Sequence, residues 1–342
     1  MAEKKPTATL IVPAVLMLTI AIAARLSIPL LIEVMLVLPV AAALLQYYSG
    51  WIGVAGVCVA AGLTCGYVLP SGAIPAIILW CGGSLAAAVV PVRRPVFRPV
   101  IWAAVCVSTW IALLLIVSRG MEGPIAIGLA EKLCQIVEES PERNSILINA
   151  YSMGLARLEG TEALVPAVRV MGNVVIAEET RMQMLYSLRV SLEEVLPSLL
   201  CSTVVYHTGL TTLLCTMLPD WRRRKRGEEG LLPSMDRWYM PRRMGRAVCA
   251  LLIGWLFSLF SGEGAGGYVG NLCMGVFRFA FMLQGICFLL WMGKRMGVKS
   301  VMRSVWAVLL SVIAPIIPIV MGMIDQRKDA RHLRPKEEAG QE

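Results

Sequence analysis

Long apolar blocks, nearly free of charged side chains, constrain the fold of this chain more than any other feature. An apolar block of about 20 residues, folded as an α-helix, spans the ~30 Å hydrocarbon core of a bilayer. Of the 342 residues, 57% are hydrophobic and only 16% are charged, whereas soluble domains carry about 25% charged residues. We therefore predict an all-α protein, a polytopic membrane helical bundle.

The apolar blocks predict about nine membrane spans, at residues 8–24, 28–46, 51–69, 72–91, 99–117, 197–219, 247–261, 270–292 and 304–324. We expect the first block to be a span and not a cleaved signal peptide, because no small-residue cleavage site precedes Arg25. The last block is ambiguous, since Pro315 and Pro318 either kink a crossing helix or let the segment re-enter. We count it as a crossing, and the side of the C-terminus stays open.

The charges of the loops predict the topology. Loop 92–98 carries three basic residues and no acidic one, loop 220–246 carries nine basic and four acidic residues, and loop 293–303 carries four basic residues. Segment 119–195 instead has seven basic residues against eleven glutamates. Lys and Arg resist translocation, so we place the N-terminus and the basic loops in the cytoplasm. We expect the protein in the cytoplasmic membrane.

These patterns divide the chain into four regions. Residues 1–118 form a five-span membrane bundle, and residues 119–196 form an extracytoplasmic segment whose apolar residues recur at helical spacing. Residues 197–326 hold four spans and the basic cytoplasmic loop 220–246, and residues 327–342 are a polar tail.

A run of five basic residues, Arg222, Arg223, Arg224, Lys225 and Arg226, directly follows an apolar block. We predict that this basic cluster faces lipid, because each charge near an anionic leaflet contributes about 1 kcal/mol. The expected partners include anionic headgroups at the cytoplasmic face. Nucleic acid is not expected, because no folded basic domain or aromatic platform accompanies the run.

Ionisable and amide side chains inside the spans are the candidates for binding a substrate: Arg278, Gln284, Asn271 and Glu33. A charge in hydrocarbon costs several kcal/mol without a partner. Arg278 lies deepest and is the strongest candidate for a ligand or ion-pair contact. Glu33 lies near a span end, where it can also reach the interface and have no binding role.

Glycines in the third and fourth spans predict close helix packing. Gly62 and Gly66 have the GxxxG spacing, and Gly82 belongs to the same set. Alternatively, these small side chains leave a cavity for a substrate.

Several chemistries lack their signatures. The chain has no G-x-x-x-x-G-K-[ST], H-E-x-x-H or G-x-S-x-G motif. Nine of the ten cysteines lie inside apolar blocks, and no C-x-x-C occurs. We expect no metal, no cofactor and no enzymatic activity, with an intramembrane enzyme acting on lipid as the less favoured alternative.

Three motifs resemble the YybS-like family of bacterial membrane proteins: RWYMP at 237–241, NLCMGVFRFAFMLQG at 271–285 and GMIDQRK at 322–328. The resemblance covers nearly the whole chain, and the positions that match the pattern are Trp238, Pro241, Asn271, Gln284, Gly285 and Asp325. The family's N-terminal part is similar in style to the substrate-binding S components of energy-coupling-factor transporters. Those components capture a small molecule and rely on a separate ATPase. The resemblance assigns no role to the matching residues.

Two functions remain open. The first is a substrate-capture or transport-related component that does not hydrolyse ATP and has a small-molecule partner. The second is an envelope-associated scaffold that acts on other membrane or envelope proteins.

Overall fold

The computed structural model describes residues 97–118, 121, 123–158, 167–170, 173–225, 227, 229–230, 232–260 and 265–333, together with Pro39, Val40 and Ala43. The predicted spans 8–24, 51–69 and 72–91, and nearly all of 28–46, lie outside these residues. The chain divides into two compact units, Leu114–Cys201 and the remainder of the chain.

Over these ranges the chain is helical apart from one two-stranded ribbon. The helices are α1 (Phe97–Val117), α2 (Ile125–Glu139), α3 (Arg143–Ser152), α4 (Glu178–Lys225), α5 (Arg242–Phe260), α6 (Ala265–Arg295), α7 (Ser300–Ile313) and α8 (Ile316–Lys328). The antiparallel strands β1 (Ala167–Val170) and β2 (Asn173–Ile176) pair from Ala167 with Ile176 to Val170 with Asn173. A 3-10 turn, Met235–Arg237, precedes α5.

The unit Leu114–Cys201 has an apolar core of its own. Helix α2 follows Pro124, and Pro141 separates α2 from α3. The core consists of buried side chains from α3, the residues after it, β2 and the first turns of α4: Leu147, Ala150, Ala156, Ile176, Met184, Leu185 and Leu188. The residues of α4 in this core recur at helical spacing, as the sequence pattern predicted.

Three described helices are long and apolar enough to cross a bilayer: α4, α5 and α6. They contain the predicted spans 197–219 and 270–292 and residues 247–260 of the predicted span 247–261. The predicted span 99–117 corresponds to α1, of which Pro99–Ile111 forms an apolar helix. The described residues therefore fit a helical membrane bundle with three such spans, or four if α7 and α8 are counted as one bent span.

The block 304–324 is not one continuous helix. The direction of the helix bends by 111° between α7 and α8, across the break at Ala314 and Pro315. Proline has no N–H to donate and disfavours helical geometry in the residue before it, so the break falls at Ala314. Pro315 then starts α8 as its N-cap. The predicted disruption of this helix at its prolines is confirmed, and it takes the form of a sharp break.

Two glycines bring α6 and α8 into backbone contact. A Cβ added at Gly285 of α6 would overlap the carbonyl oxygen of Pro318, and one at Gly322 of α8 would overlap the carbonyl oxygen of Phe281. Small residues allow this close approach of helices. The crossing is continuous with an apolar cluster that includes Met240, Val248, Phe277, Phe281, Met282 and Ile319.

Candidate functional site

A buried ion pair lies at the end of α8. Arg331 Nη2 is 2.8 Å from Asp325 Oδ2, and Arg331 Nε donates to the same oxygen at 3.1 Å. The two side chains are almost fully buried. A buried charge is stable only when it is paired and hydrogen-bonded. The other hydrogen-bond partners of Asp325 and Arg331 therefore show which parts of the fold this pair holds together.

The chain reverses direction after α8 to form the pair. Asp329 has a left-handed backbone with φ of 45°, and its N–H donates to the carbonyl oxygen of Asp325 at 2.9 Å. Its side chain also accepts a bond from the N–H of Leu333 at 3.3 Å. Asp and Asn adopt this backbone conformation more readily than most residues. The reversal brings Arg331 back onto the helix that it follows.

Gln284 of α6 extends the pair into a network. Its Nε2 donates to Asp325 Oδ2, and its Oε1 accepts the N–H of Met240 at 3.0 Å. Arg331 Nη1 donates to the carbonyl oxygen of Asp236 at 3.0 Å. The network therefore joins α6, α8, the reversed segment and the loop that leads into α5.

Asp236 also fixes this loop to the end of α6. Its Oδ2 accepts a bond from Lys294 Nζ at 2.9 Å. Burial by itself raises the pKa of Asp236, but hydrogen bonds from Ser234 and Lys294 and the lysine charge outweigh it and hold the pKa below its ordinary value. Asp236 is therefore ionised at neutral pH.

A cavity of about 450 Å³ opens beside the network. Its walls come from the first turns of α5, from the middle of α6 and from the end of α8. The lining residues are Arg242, Gly245, Arg246, Cys249, Phe281, Met323, Gln326 and Arg327. Three of these eight are arginines and none is acidic, so the lining combines cationic and apolar side chains.

The network positions the walls of this cavity. Gln326 Nε2 donates to the carbonyl oxygen of Pro241 at 3.3 Å, and a Cβ at Gly245 would overlap the Gln326 side chain. Asp325, the neighbour of Gln326, is held by Gln284 and Arg331. Hydrogen bonds therefore attach the start of α5 and the end of α8 to each other and to α6, next to the cavity.

The structure separates the predicted substrate-binding residues. Gln284 is buried in the network, whereas Arg278 is exposed and Asn271 is half-buried. Arg278 precedes Gln284 by six residues on α6, a rotation of about 240°, so the two side chains leave the helix on different faces. Arg278 does not line the cavity.

The other predicted site residues fall outside the described part of the chain. These are Glu33 and the packing glycines Gly62, Gly66 and Gly82. Their roles stay predictions.

Residues 222–225 of the basic cluster form the end of α4, and Arg226 lies outside the described residues. Arg224 Nε donates to Asp220 Oδ2 at 3.0 Å, and its Nη2 donates to the carbonyl oxygen of Leu232. Lys225 Nζ lies 4.1 Å from the centre of the Trp221 ring. Arg224 thus contacts its own chain, and lipid contact by the cluster stays a prediction.

Sequence reasoning missed the residues that build the cavity. Arg242 and Arg246 were counted only as loop charges, and Arg327 and Arg331 were part of the polar tail. The i, i+4 spacing of Arg242 and Arg246 places them on one helix face and was a usable signal. The reversal at Asp329 has no comparable sequence signature.

No family model, no curated protein and no solved structure matches the chain. Within the described ranges, no three His, Cys, Asp or Glu side chains come close enough together to hold a metal ion.

Proposed function

We propose that this protein is an integral protein of the cytoplasmic membrane that captures a small ligand, as a substrate-capture or transport-related component without its own ATP hydrolysis. The observation that carries the proposal is the cavity between α5, α6 and α8. Its volume of about 450 Å³ falls within the ~300–1,000 Å³ range of ligand pockets, and it has the expected mixture of apolar and polar lining.

The broken helix beside the cavity supports the same function. Binding sites of secondary transporters are typically formed by discontinuous membrane helices. Helix α8, the second half of the broken pair, supplies Met323, Gln326 and Arg327 to the cavity wall. Irregular backbone inside a membrane is tolerated where it is buried in protein or lines a water-filled cavity.

Two contacts favour a re-entrant course for the broken pair. At the start of α7, Arg303 Cγ lies 2.9 Å from the position of a Cβ on Gly293, near the end of α6. After α8, Arg331 binds Asp236, which pairs with Lys294 at the end of α6. The pair thus begins and ends near the same end of α6. We infer that it replaces the predicted ninth crossing and leaves the C-terminus in the cytoplasm.

Native mass spectrometry of the protein in mild detergent tests ligand capture. We expect a stoichiometric co-purifying molecule of up to roughly 1 kDa, a size that suits a pocket of this volume. Cys249→Trp, which fills the cavity, should abolish it. Met244→Trp, an exposed position on the same helix that does not line the cavity, should retain it. A protein free of any such molecule in both variants and in the wild type would contradict ligand capture.

The alternative is an envelope-associated scaffold. The observation that favours it is the surface of the unit Leu114–Cys201, where Met182 and Tyr186 of α4 and Ile136 of α2 are exposed. Met182 and Tyr186 lie one turn apart on one face of α4, and contiguous exposed apolar groups of this kind mark interaction sites. Co-purification of a protein instead of a small molecule would support this alternative.

A further inference from the structure

We propose that the cavity between α5, α6 and α8 binds a phosphate-bearing amphiphile, with the phosphate against Arg242, Arg246 and Arg327 and the apolar part against Phe281 and Met323. This inference rests on the proposed function and specifies the chemical class of the ligand.

The arginines determine the charged half of the ligand. Arg242 and Arg246 lie one turn apart on α5, and Arg327 reaches the same cavity from α8. An anion placed among three guanidinium groups is attracted to all of them, so the charged half of the ligand is an anion.

Phosphate fits this arrangement better than carboxylate. Each guanidinium carries five N–H donors in a planar fork, so three of them offer more donors than the two oxygens of a carboxylate can accept. A phosphate group has four oxygens against the two of a carboxylate, and it carries one negative charge as a diester and up to two as a monoester. Arginine binds it with paired hydrogen bonds.

The start of α5 adds to this preference. The N-terminal end of a helix carries a partial positive charge that acidic side chains usually compensate. The first turn of α5 contains no acidic residue, and two of its early residues, Arg242 and Arg246, line the cavity.

The apolar lining residues determine the apolar half of the ligand. Phe281, Met323 and Cys249 are part of its lining. The volume of about 450 Å³ is many times the ~30 Å³ share of one water molecule, so a lone inorganic anion would leave most of it unfilled. An acyl chain or another apolar group attached to the phosphate fills it.

A pair of double variants tests the proposal in the full chain. Arg246→Gln with Arg327→Gln removes two cavity charges. Arg243→Gln with Lys328→Gln removes two charges from exposed neighbours that do not line the cavity. The two double variants have the same net charge, so a difference between them reports the cavity and not general attraction to anions.

Two sources of the phosphate are distinguished by separate measurements. Native mass spectrometry compares retention of phosphatidylglycerol with that of phosphatidylcholine. Thermal unfolding in detergent is followed during titration with hexyl phosphate and with inorganic phosphate. We expect the wild type and the control to bind phosphatidylglycerol or hexyl phosphate at least about tenfold more tightly than the cavity variant.

The positive results identify the source. Preference for phosphatidylglycerol alone assigns a lipid headgroup, and binding of hexyl phosphate assigns a soluble or diffusible amphiphile. Equal binding by the two double variants would overturn the proposal. So would inorganic phosphate binding as tightly as hexyl phosphate, because the apolar side would then contribute nothing.

Failure of this inference is distinguishable from failure of ligand capture. A co-purifying molecule without phosphate that is lost in Cys249→Trp would leave ligand capture standing and refute the phosphate assignment. The absence of any such molecule, together with no binding in either titration, would refute both.

Discussion

The unit Leu114–Cys201 and the helices α5–α8 differ in where they place their polar side chains. In the unit, the core is apolar, none of its described polar or charged residues is buried, and the ion pair of Arg189 with Glu131 lies on the surface. In α5–α8, Phe260 is 87% exposed and Ile313 is 77% exposed, whereas Gln284 is only 5% exposed and Asp325 only 2%.

This difference is consistent with two solvents, water for the unit Leu114–Cys201 and lipid for α5–α8. In water, a fold is stabilised when its charged groups are exposed and its apolar groups are buried. Lipid does not penalise exposed apolar side chains, so helices there associate through close backbone packing and interior polar groups. The contacts between α6 and α8 are of these two kinds: the glycine crossing and the network around Asp325.

The comparison predicts that removing a charge lowers the free energy of unfolding strongly in α5–α8 and only slightly in the unit Leu114–Cys201. Asp325→Asn leaves the buried Arg331 without its counter-charge and should lower the free energy of unfolding by about 3–5 kcal/mol. Glu131→Gln, which breaks an exposed pair with Arg189, should cost about 0–1 kcal/mol. Denaturant unfolding in detergent measures both.

A double variant at Asp325 and Arg331 separates the effect of the charges of this pair from the effect of its shape. Asp325→Leu combined with Arg331→Met should recover much of the stability lost in Asp325→Asn, since apolar replacements of buried ion pairs are often tolerated. A double variant as unstable as the single one would show that the hydrogen bonds to Gln284 and Asp236, and not charge burial, dominate.

Truncation of the apolar core should have its large effect in the unit Leu114–Cys201. Met184 is fully buried there, and Met184→Ala should destabilise the unit by about 2–5 kcal/mol. Met182→Ala, two residues earlier on α4 and exposed, should change stability by less than about 0.5 kcal/mol. Equal effects at the two positions would contradict the core as described.

The glycine crossing should be intolerant of a single methyl group. Gly285→Ala directs a Cβ into the Pro318 carbonyl, and the two backbones must separate, at a cost of about 1–3 kcal/mol. Gly267→Ala on the same helix meets no atom within 4 Å and should be neutral or slightly stabilising. Thermal unfolding of the two variants in the same detergent gives the comparison.

The smallest expected effect is the pH dependence of the Asp236–Lys294 pair. The pKa of Asp236 is lowered from 3.8 in the folded state, so its stabilising contribution is complete above about pH 4 and disappears as the pH falls through the lower folded value. The difference in unfolding midpoint between wild type and Asp236→Asn should therefore be constant from pH 7 to about pH 4 and shrink below it. A difference that stays constant or grows as the pH falls below about 4 would show that the pKa is not lowered.

The sequence predicted the described spans of α4, α5 and α6 because long apolar runs act on the chain locally. It also predicted the break in the last block, since the effect of Pro315 on a helix is local too. The core of the unit Leu114–Cys201 followed the apolar spacing along α4. The ribbon of β1 and β2 was not predicted, because its strands are only four residues each.

The cavity and the network behind it were harder to predict than the helices. Gln284 was identified as a polar residue inside a span, but its partners Asp325 and Met240 are 41 and 44 residues away in sequence. Arg278 was favoured for its depth in the span, and the structure instead brings arginines from helix ends to the cavity. Positions on facing helices depend on crossing geometry, which hydropathy and spacing do not encode.

The location of the proposed ligand site depends most directly on the course of α7 and α8. A pair of helices that returns to the side of the membrane from which it entered places the cavity beside the basic loops. A reporter fused after Glu342 tests it: green fluorescent protein fluoresces when it remains in the cytoplasm, and alkaline phosphatase is active only after export. The same reporters inserted at Gly227 serve as the reference for loop 220–246. We predict cytoplasmic signals at both positions. An exported reporter at Glu342 with a cytoplasmic one at Gly227 would mean that the pair crosses the membrane and would contradict the re-entrant arrangement.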